Sequence, residues 1–597
     1  MSPLPPGALF LLRGLAPIAG FSVFVAYTAN SLEQSFQITI STWIRIAVIV
    51  LVLALTCASF ITLEQQRVSR AAARLGAVLP PAWNGKQFGN LDVLHDIMHN
   101  FAHGYPTDGM AEKTEQLGST FAINAMWYPQ YVTSDPTLIK TMLVTDFSKF
   151  VKGSVFQEMM RSFLGTGVFN SDGDTWKFHR SMARPFFNRE KISHFGVFEH
   201  HSERAIYQMK ERFCAGHAVD FQDIAAKFTL DAATHFLFGK SVDFLNDPLP
   251  SAWNVQAPST NSGLPAESPA EAFAHALGCI QEVVARRARL AWLWPLFEIF
   301  GDKCAEHMRV LDSFVNPIVQ EALKKREVSH DNGKSFDEVS EGEETFIDYM
   351  ARHTSEPELL HDETLNILLA ARDTTASTLT FAVYFLCTHP KVFERLRAEV
   401  LSTVGPSRQP TVEDLRGMKY LRAVINETLR LYPPVPFNMR YTTCDTLLRN
   451  PDPDGKPFYA PAGTAIIFGP IIMHRSKEYW GPDAEEFDPD RFLDERVDKY
   501  LTGNPSIFLP FNAGPRICLG QQFAYNETSY FLIRLLQNFS DMQLNNAAQP
   551  PESRPPADWA NAQGRKSKEQ LWPKVHITLY SLGGLWVNMT GAPQESQ

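Results

Sequence analysis

Ten residues near the carboxy-terminal end, Phe511-Asn-Ala-Gly514-Pro-Arg516-Ile-Cys518-Leu-Gly520, gather several side chains able to do chemistry. Cys518 stands just before a helical pattern running from Gln521 to Phe539. A helix N-terminus favours an anion, so the position would hold Cys518 as a thiolate. Arg516 offers a planar guanidinium to a carboxylate. Gly514 and Gly520 allow a tight turn and a close approach to a flat ligand. A single cysteine is more often an inert buried side chain, but here phenylalanine, glycine, arginine, cysteine and glycine recur at 511, 514, 516, 518 and 520. Upstream, Ala370-Ala-Arg-Asp373-Thr374-Thr375 puts an acid beside hydroxyls in an otherwise apolar helical pattern. That is costly unless the group faces a cavity, and the competing reading is a threonine bonded back to its own helix. Trp176 and Arg180 are four apart, Glu427 and Arg430 three apart, so each pair shares a helical face.

The loop follows the pattern F-x-x-G-x-R-x-C-x-G, and Trp176-Lys-Phe-His-Arg180, Asp373-Thr374-Thr375, Glu427-Thr-Leu-Arg430 and Phe487-Asp-Pro-Asp-Arg491-Phe492 precede it in that order. In these motifs the chain strongly resembles the cytochrome P450 superfamily. The resemblance implies a mainly α fold with small β-sheets and haem b, iron protoporphyrin IX, as cofactor. Cys518 would be the metal ligand, and a thiolate on haem iron favours O–O cleavage. Phe511, Gly514, Arg516 and Gly520 would shape the ligand loop, while Trp176, Arg180 and Arg440 would reach the haem propionates. Asp373 and Thr374 would be catalytic, relaying protons. Glu427, Arg430 and Arg491 would form a structural network behind the loop, and His474 is read as structural too. The chain departs from the family at Ala371, where glycine is usual; its methyl would narrow the oxygen groove. The wording Ala371-Arg-Asp-Thr-Thr-Ala, with the Phe273 to Phe297 stretch, looks most like the fungal branch that hydroxylates n-alkanes and fatty acids.

These motifs need scaffolding. Helical periodicity dominates, notably from Leu359 to Cys387 and from Met418 to Leu431, and β-like runs such as Gly463 to Phe468 are short. Residues 81–597 are expected to form one catalytic domain, with surface insertions at Leu249–Pro269 and Val328–Glu344. Residues 1–80 are expected to be an anchor and hinge. Ile46 to Leu63 runs 18 residues without a charge, close to the 20 or so that cross a bilayer. An earlier apolar segment, 7–29, is interrupted by Arg13, Pro17 and Gly20, and is a second span, a re-entrant piece or an interfacial hairpin. Arg67, Arg70 and Arg74 follow the strong span, placing the next residues on the cytosolic side, and Leu79-Pro80-Pro81 reads as a stiff hinge.

Net charge is −10, which opposes nucleic-acid binding. The seven cysteines are scattered with no C-x-x-C pair, against a disulfide framework or zinc knuckle. Asn426, Asn526 and Asn538 head sequons that fall in helical patterns, consistent with a cytosolic domain. No G-x-G-x-x-G follows a strand, so the electrons come from another chain. The resemblance therefore implies a haem-thiolate monooxygenase in the endoplasmic reticulum membrane, its catalytic domain in the cytosol. NADPH-cytochrome P450 reductase, cytochrome b5, membrane lipid and an apolar small molecule would be its partners. Hydroxylation of terpenoid, aromatic or xenobiotic compounds is the alternative within that class. A haem-thiolate peroxide isomerase or dehydratase and a haem or gas sensor are different classes, both disfavoured by the retained acid–threonine pair.

Overall fold

The computed structural model describes residues 4–37, 39–187, 195–255, 268–331 and 345–593. The expected insertions at Leu249–Pro269 and Val328–Glu344 lie largely outside them. Two helices, Pro6–Phe36 and Thr42–Arg74, begin the chain; both are long and apolar enough to cross a membrane, and their most apolar stretches are unburied. Arg13, Pro17 and Gly20 interrupt the hydropathy of the first but not its helix. The Glu33–Arg45 ion pair, 2.6 Å, ties the two together.

The exit from the second helix differs from the expected hinge. Val78 donates to the Pro457 carbonyl at 3.0 Å and accepts from the Tyr459 N–H at 2.8 Å, while the Pro81 carbonyl accepts from the Ala122 N–H at 2.7 Å. Proline lacks a donor but keeps its carbonyl, so the segment is strapped to the body through groups that the prolines leave intact.

Two helices form the frame of the body. Pro357–Thr388 is buried along most of its length, packing on Phe221–Phe238; its apolar residues surround it instead of forming one stripe, as suits a helix covered on all sides. Gln521–Asn538 starts directly after the cysteine loop and is buried from Tyr525 to Ile533. A six-stranded sheet runs in the order Ala82–Trp83, Thr120–Ala125, Tyr128–Thr133, Ala465–Phe468, Asn438–Thr442, Phe150–Val151. It sets Arg440 opposite Ile466 on the neighbouring antiparallel strand. The tail makes short 3-10 turns between Pro551 and Lys568 and then three strands. The last of them, Trp586–Gly591, pairs with Phe539–Leu544.

Candidate active site

The cysteine loop is built by its own backbone. Cys518 N–H donates to the Phe511 carbonyl at 3.0 Å and Ile517 N–H to that of Gly514 at 3.0 Å. Gly514 has φ +67°, and a Cβ there would lie 1.9 Å from the Leu143 carbonyl oxygen. The close approach is thus to protein backbone, not to a ligand. Gly520, at φ −85°, is the N-cap of Gln521–Asn538 and has no left-handed requirement. Phe511 packs on Tyr525 with ring centroids 5.0 Å apart.

Behind the loop the charged network forms as the motifs imply. Arg430 makes a two-pronged pair with Glu427 at 2.6 and 2.8 Å, and Arg491 approaches the same carboxylate at 3.5 Å. All three are buried. His474 is equally buried and accepts from the Leu509 N–H at 2.9 Å. Burial and Arg430 push its pKa down to about 3, so its neutral ring braces the chain leading into the loop.

In front of the loop opens a cavity of about 1560 Å³ of atom-free space, its open mouth included. Cys518, Arg516, Phe511, Gly520, Trp176, Arg180, Arg440 and Thr374 line it; Gly514 and Asp373 do not. The Cys518 side chain opens onto this space, yet enough protein surrounds it that desolvation raises its pKa, with the Gly520 N–H and Arg180 opposing. Burial and the helix terminus thus act on the Cys518 thiol in opposite senses, and a bound metal cation would favour the thiolate.

Arg516 was expected to offer itself to a ligand carboxylate. It donates instead to the Ser171 carbonyl at 2.6 Å and to Asp172 at 2.8 Å, its guanidinium 4.6 Å from the Trp176 ring centre. Arg440 is buried with its Nε unpartnered; desolvation and Arg516 lower its pKa to about 9. Lys152, missed in the sequence because no motif surrounds it, also lines the cavity. Its pKa is pushed well down by burial, Arg440 and Arg516, against only Asp172. Lys152, Arg440 and Arg516 thus share one carboxylate, Asp172, and Arg180 adds its charge beside Arg516. A buried guanidinium whose partners are the neutral oxygens of Asn438 and Met439, its Nε unmet, fits a group carrying carboxylates at its edge, as haem does.

Asp373 falls off the lining face. Ile367, Ala370, Ala371, Thr374, Thr375 and Thr378 recur at helical spacing along the cavity, and Asp373 sits about 100° round from Thr374. It pairs with Arg372 at 2.8 Å and accepts from Gln281 at 2.6 Å. Thr374 Oγ1 donates to the Ala370 carbonyl at 2.7 Å, the bond back to its own helix. The sequence reading also passed over Glu527, fully buried with both oxygens unpartnered. An acid within the apolar pattern after Gln521 was the available signal.

A cysteine loop in front of a Glu-Arg-Arg network, beneath a long central helix and facing a cation-rimmed cavity, is the site of a haem-thiolate enzyme. The cytochrome P450 family matches residues 79–563, and the chain belongs to it. It is a cytochrome P450 monooxygenase, with haem, a reductase partner and small substrates. Cytochrome P450 52A13 of Debaryomyces hansenii is 32% identical over 540 residues, covering 89% of this chain and 95% of the relative. Cytochrome P450 52A3-A of Candida maltosa is 37% identical over 455 residues, covering 74% and 82%. Cytochrome P450 52E2 of Candida apicola is 34% identical over 481, covering 80% and 88%.

Proposed function

We propose that this protein hydroxylates n-alkanes or fatty acids drawn from the membrane. The observation that carries the reading is the apolar part of the cavity wall, where Val168, Phe169, Ile367, Leu429, Val435 and Phe468 present hydrocarbon suited to binding an apolar chain without losing hydrogen bonds. The two apolar helices that begin the chain support delivery of such a substrate from a bilayer. The similarity to the 52-series fungal proteins supports the same class.

Bound haem supplies the redox chemistry that activates O2. Cys518 would ligate its iron, and Arg440, Arg516, Arg180 and Lys152, with the Trp176 indole, would hold its carboxylates. Thr374 stands on the cavity wall and can present its hydroxyl there by leaving the Ala370 carbonyl. Asp373 would have to release Arg372 and Gln281 before reaching it, so in this arrangement it positions the roof of the site. The proposed setting is the endoplasmic reticulum membrane with residues 81–597 facing the cytosol and residues 1–80 as anchor. NADPH-cytochrome P450 reductase, helped by cytochrome b5, would be the electron donor.

The test uses full-length protein and the reductase in phospholipid vesicles, with dodecane, lauric acid and a polycyclic aromatic offered separately. Hydroxylated dodecane or laurate is the expected product. Oxidation of the aromatic alone would overturn the substrate class.

A further inference from the structure

Each of the first two helices carries an uncharged stretch of nearly the same length. Residues 14–32 are 19 without a charge, bounded by Arg13 and Glu33, and residues 46–63 are 18, bounded by Arg45 and Glu64. At about 1.5 Å per residue these stretches are roughly 28 and 27 Å long, against the ~30 Å of a bilayer's hydrocarbon core. The structure joins the charges at one end of both: Arg45 pairs with Glu33 at 2.6 Å and donates to Asn30 at 2.8 Å. At the other end stand Arg13 on the first helix and Glu64, Arg67, Arg70 and Arg74 on the second. Val23, Phe24, Val50, Leu51 and Phe60 are unburied. The apolar residues of the first helix surround it instead of lining one face, unlike a helix that lies along a membrane surface.

The amino end of the first helix is seated on the body. Gly7 is buried, and its N–H, one of the donors that a helix start leaves without an internal partner, donates to the Glu298 carbonyl at 3.1 Å. A Cβ at Gly7 would lie 2.2 Å from the Pro295 carbonyl oxygen and 2.6 Å from Ile299 Cα. Phe10 meets Trp292 with ring centroids 6.3 Å apart. The receiving turn is itself fixed, since buried Arg287 holds Glu298 through hydrogen bonds of 2.8 and 2.7 Å and Asp302 through one of 2.7 Å. That turn follows helix Pro269–Leu290, which sends Gln281 to Asp373.

We propose that the first two helices form a two-span hairpin in the bilayer, with the amino terminus on the same side as the catalytic domain, where Gly7 seats the first helix on residues 291–299. The proposal rests on the membrane reading of residues 1–80 and not on the identity of the substrate. Charge agrees with it: Arg13, Arg67, Arg70 and Arg74 lie at the catalytic side, against Arg45 alone at the far connection, where Glu33 neutralises it. Arginine-rich ends stay in the cytosol. An amino terminus on the far side would put the whole bilayer between Gly7 and Glu298, so a single span and the seat exclude each other.

The full-length protein in sealed microsomes tests this. Alkaline carbonate is expected to leave it in the membrane; its release would overturn the membrane reading and the hairpin with it. A glycan acceptor carried in a Gly/Ser spacer is inserted between Phe36 and Thr42 or placed ahead of Met1, each chain being compared with its parent. The first is expected to be glycosylated and the second not, and an amino-terminal epitope should be lost to protease added outside the vesicles. A glycosylated, protease-protected amino terminus, or an unmodified connection, would overturn the hairpin while leaving the anchor intact. For the seat, Phe10→Cys with Trp292→Cys is expected to be joined by a short bismaleimide, the linked peptides being identified by mass. Adding Gly7→Leu, whose side chain meets backbone at 295–299, should lose most of that link. No link in the pair, or an unchanged yield with Gly7→Leu, would overturn the seat. The carbon-monoxide difference spectrum confirms an intact catalytic domain in each variant, and should Gly7→Leu fail to fold, the cysteine pair and the glycosylation result still decide.

Discussion

Replacing Gly514 by alanine would place a methyl carbon 1.9 Å from the Leu143 carbonyl oxygen at a residue with φ +67°. The left-handed backbone costs a non-glycine residue roughly 1–3 kcal/mol by itself. The contact adds more, because the obstacle is backbone: Leu143 is 1% exposed and lies in the turn Thr141–Thr145, which cannot rotate aside as a side-chain tip would. Relief requires a shift of about an ångström in the loop, and that loop carries Cys518 through the Phe511 and Gly514 hydrogen bonds. A cost of about 3 kcal/mol corresponds to roughly a hundredfold in an equilibrium, at about 1.4 kcal/mol per decade. The expected outcome is loss of most thiolate ligation, read as loss of the shifted Soret band of the reduced carbon-monoxide complex, with far-ultraviolet circular dichroism retained. Full ligation together with an unchanged thermal midpoint would refute the reasoning, since neither strain nor collision would then have been felt at the metal ligand.

Glu427→Gln leaves the buried Arg430 and Arg491 without their shared anion and should destabilise the protein by about 3–5 kcal/mol; a urea midpoint displaced by less than about 1 kcal/mol would count against the network. Arg440→Leu removes the buried guanidinium whose Nε is unmet, so haem should pass to an excess of acceptor protein roughly tenfold faster, the low end for a charge-assisted hydrogen bond, while an unchanged rate would place the haem carboxylates elsewhere. His474 has its folded pKa lowered from 6.5 to about 3. The unfolded chain therefore binds a proton that the folded one refuses, and stability falls as pH drops below about 6.5 toward 3. By linkage the cost is about 2 kcal/mol at pH 5. In His474→Gln the difference between urea midpoints at pH 7.5 and pH 5 should shrink by that amount; an unaltered difference would mean that His474 is not the group titrating.

Much of the site was legible because its parts are close in sequence. The cysteine loop spans ten residues with hydrogen bonds inside it, and the Glu427–Arg430 pair occupies one helical turn, so residue type and spacing alone imply both. Asp373 lies off the lining face for a reason also present in the sequence: a helix turns about 100° per residue, and the lining positions 367, 371, 374 and 378 leave 373 on another face. Arg516 shows a different limit. Its partner Asp172 is more than 300 residues away, and nothing local reveals that its charge is already met within the protein. The strapped exit at Val78–Pro81 is of the same kind, since prolines stiffen a chain wherever they occur, but only the distant Pro457 and Tyr459 backbone decides whether it is free.

The sequence by itself determined the cysteine loop, the charged network behind it and the mainly helical class, because these depend on short-range spacing and on which side chains can hold an anion, a cation or an apolar face. Only the tertiary structure decided which polar groups are left unsatisfied once the chain is packed. The unmet Arg440 Nε and Glu527 carboxyl come from different elements, and so do Lys152, Arg440 and Arg516, which share Asp172. Desolvation depends on everything that surrounds a group in space, and no one-dimensional pattern encodes that enclosure.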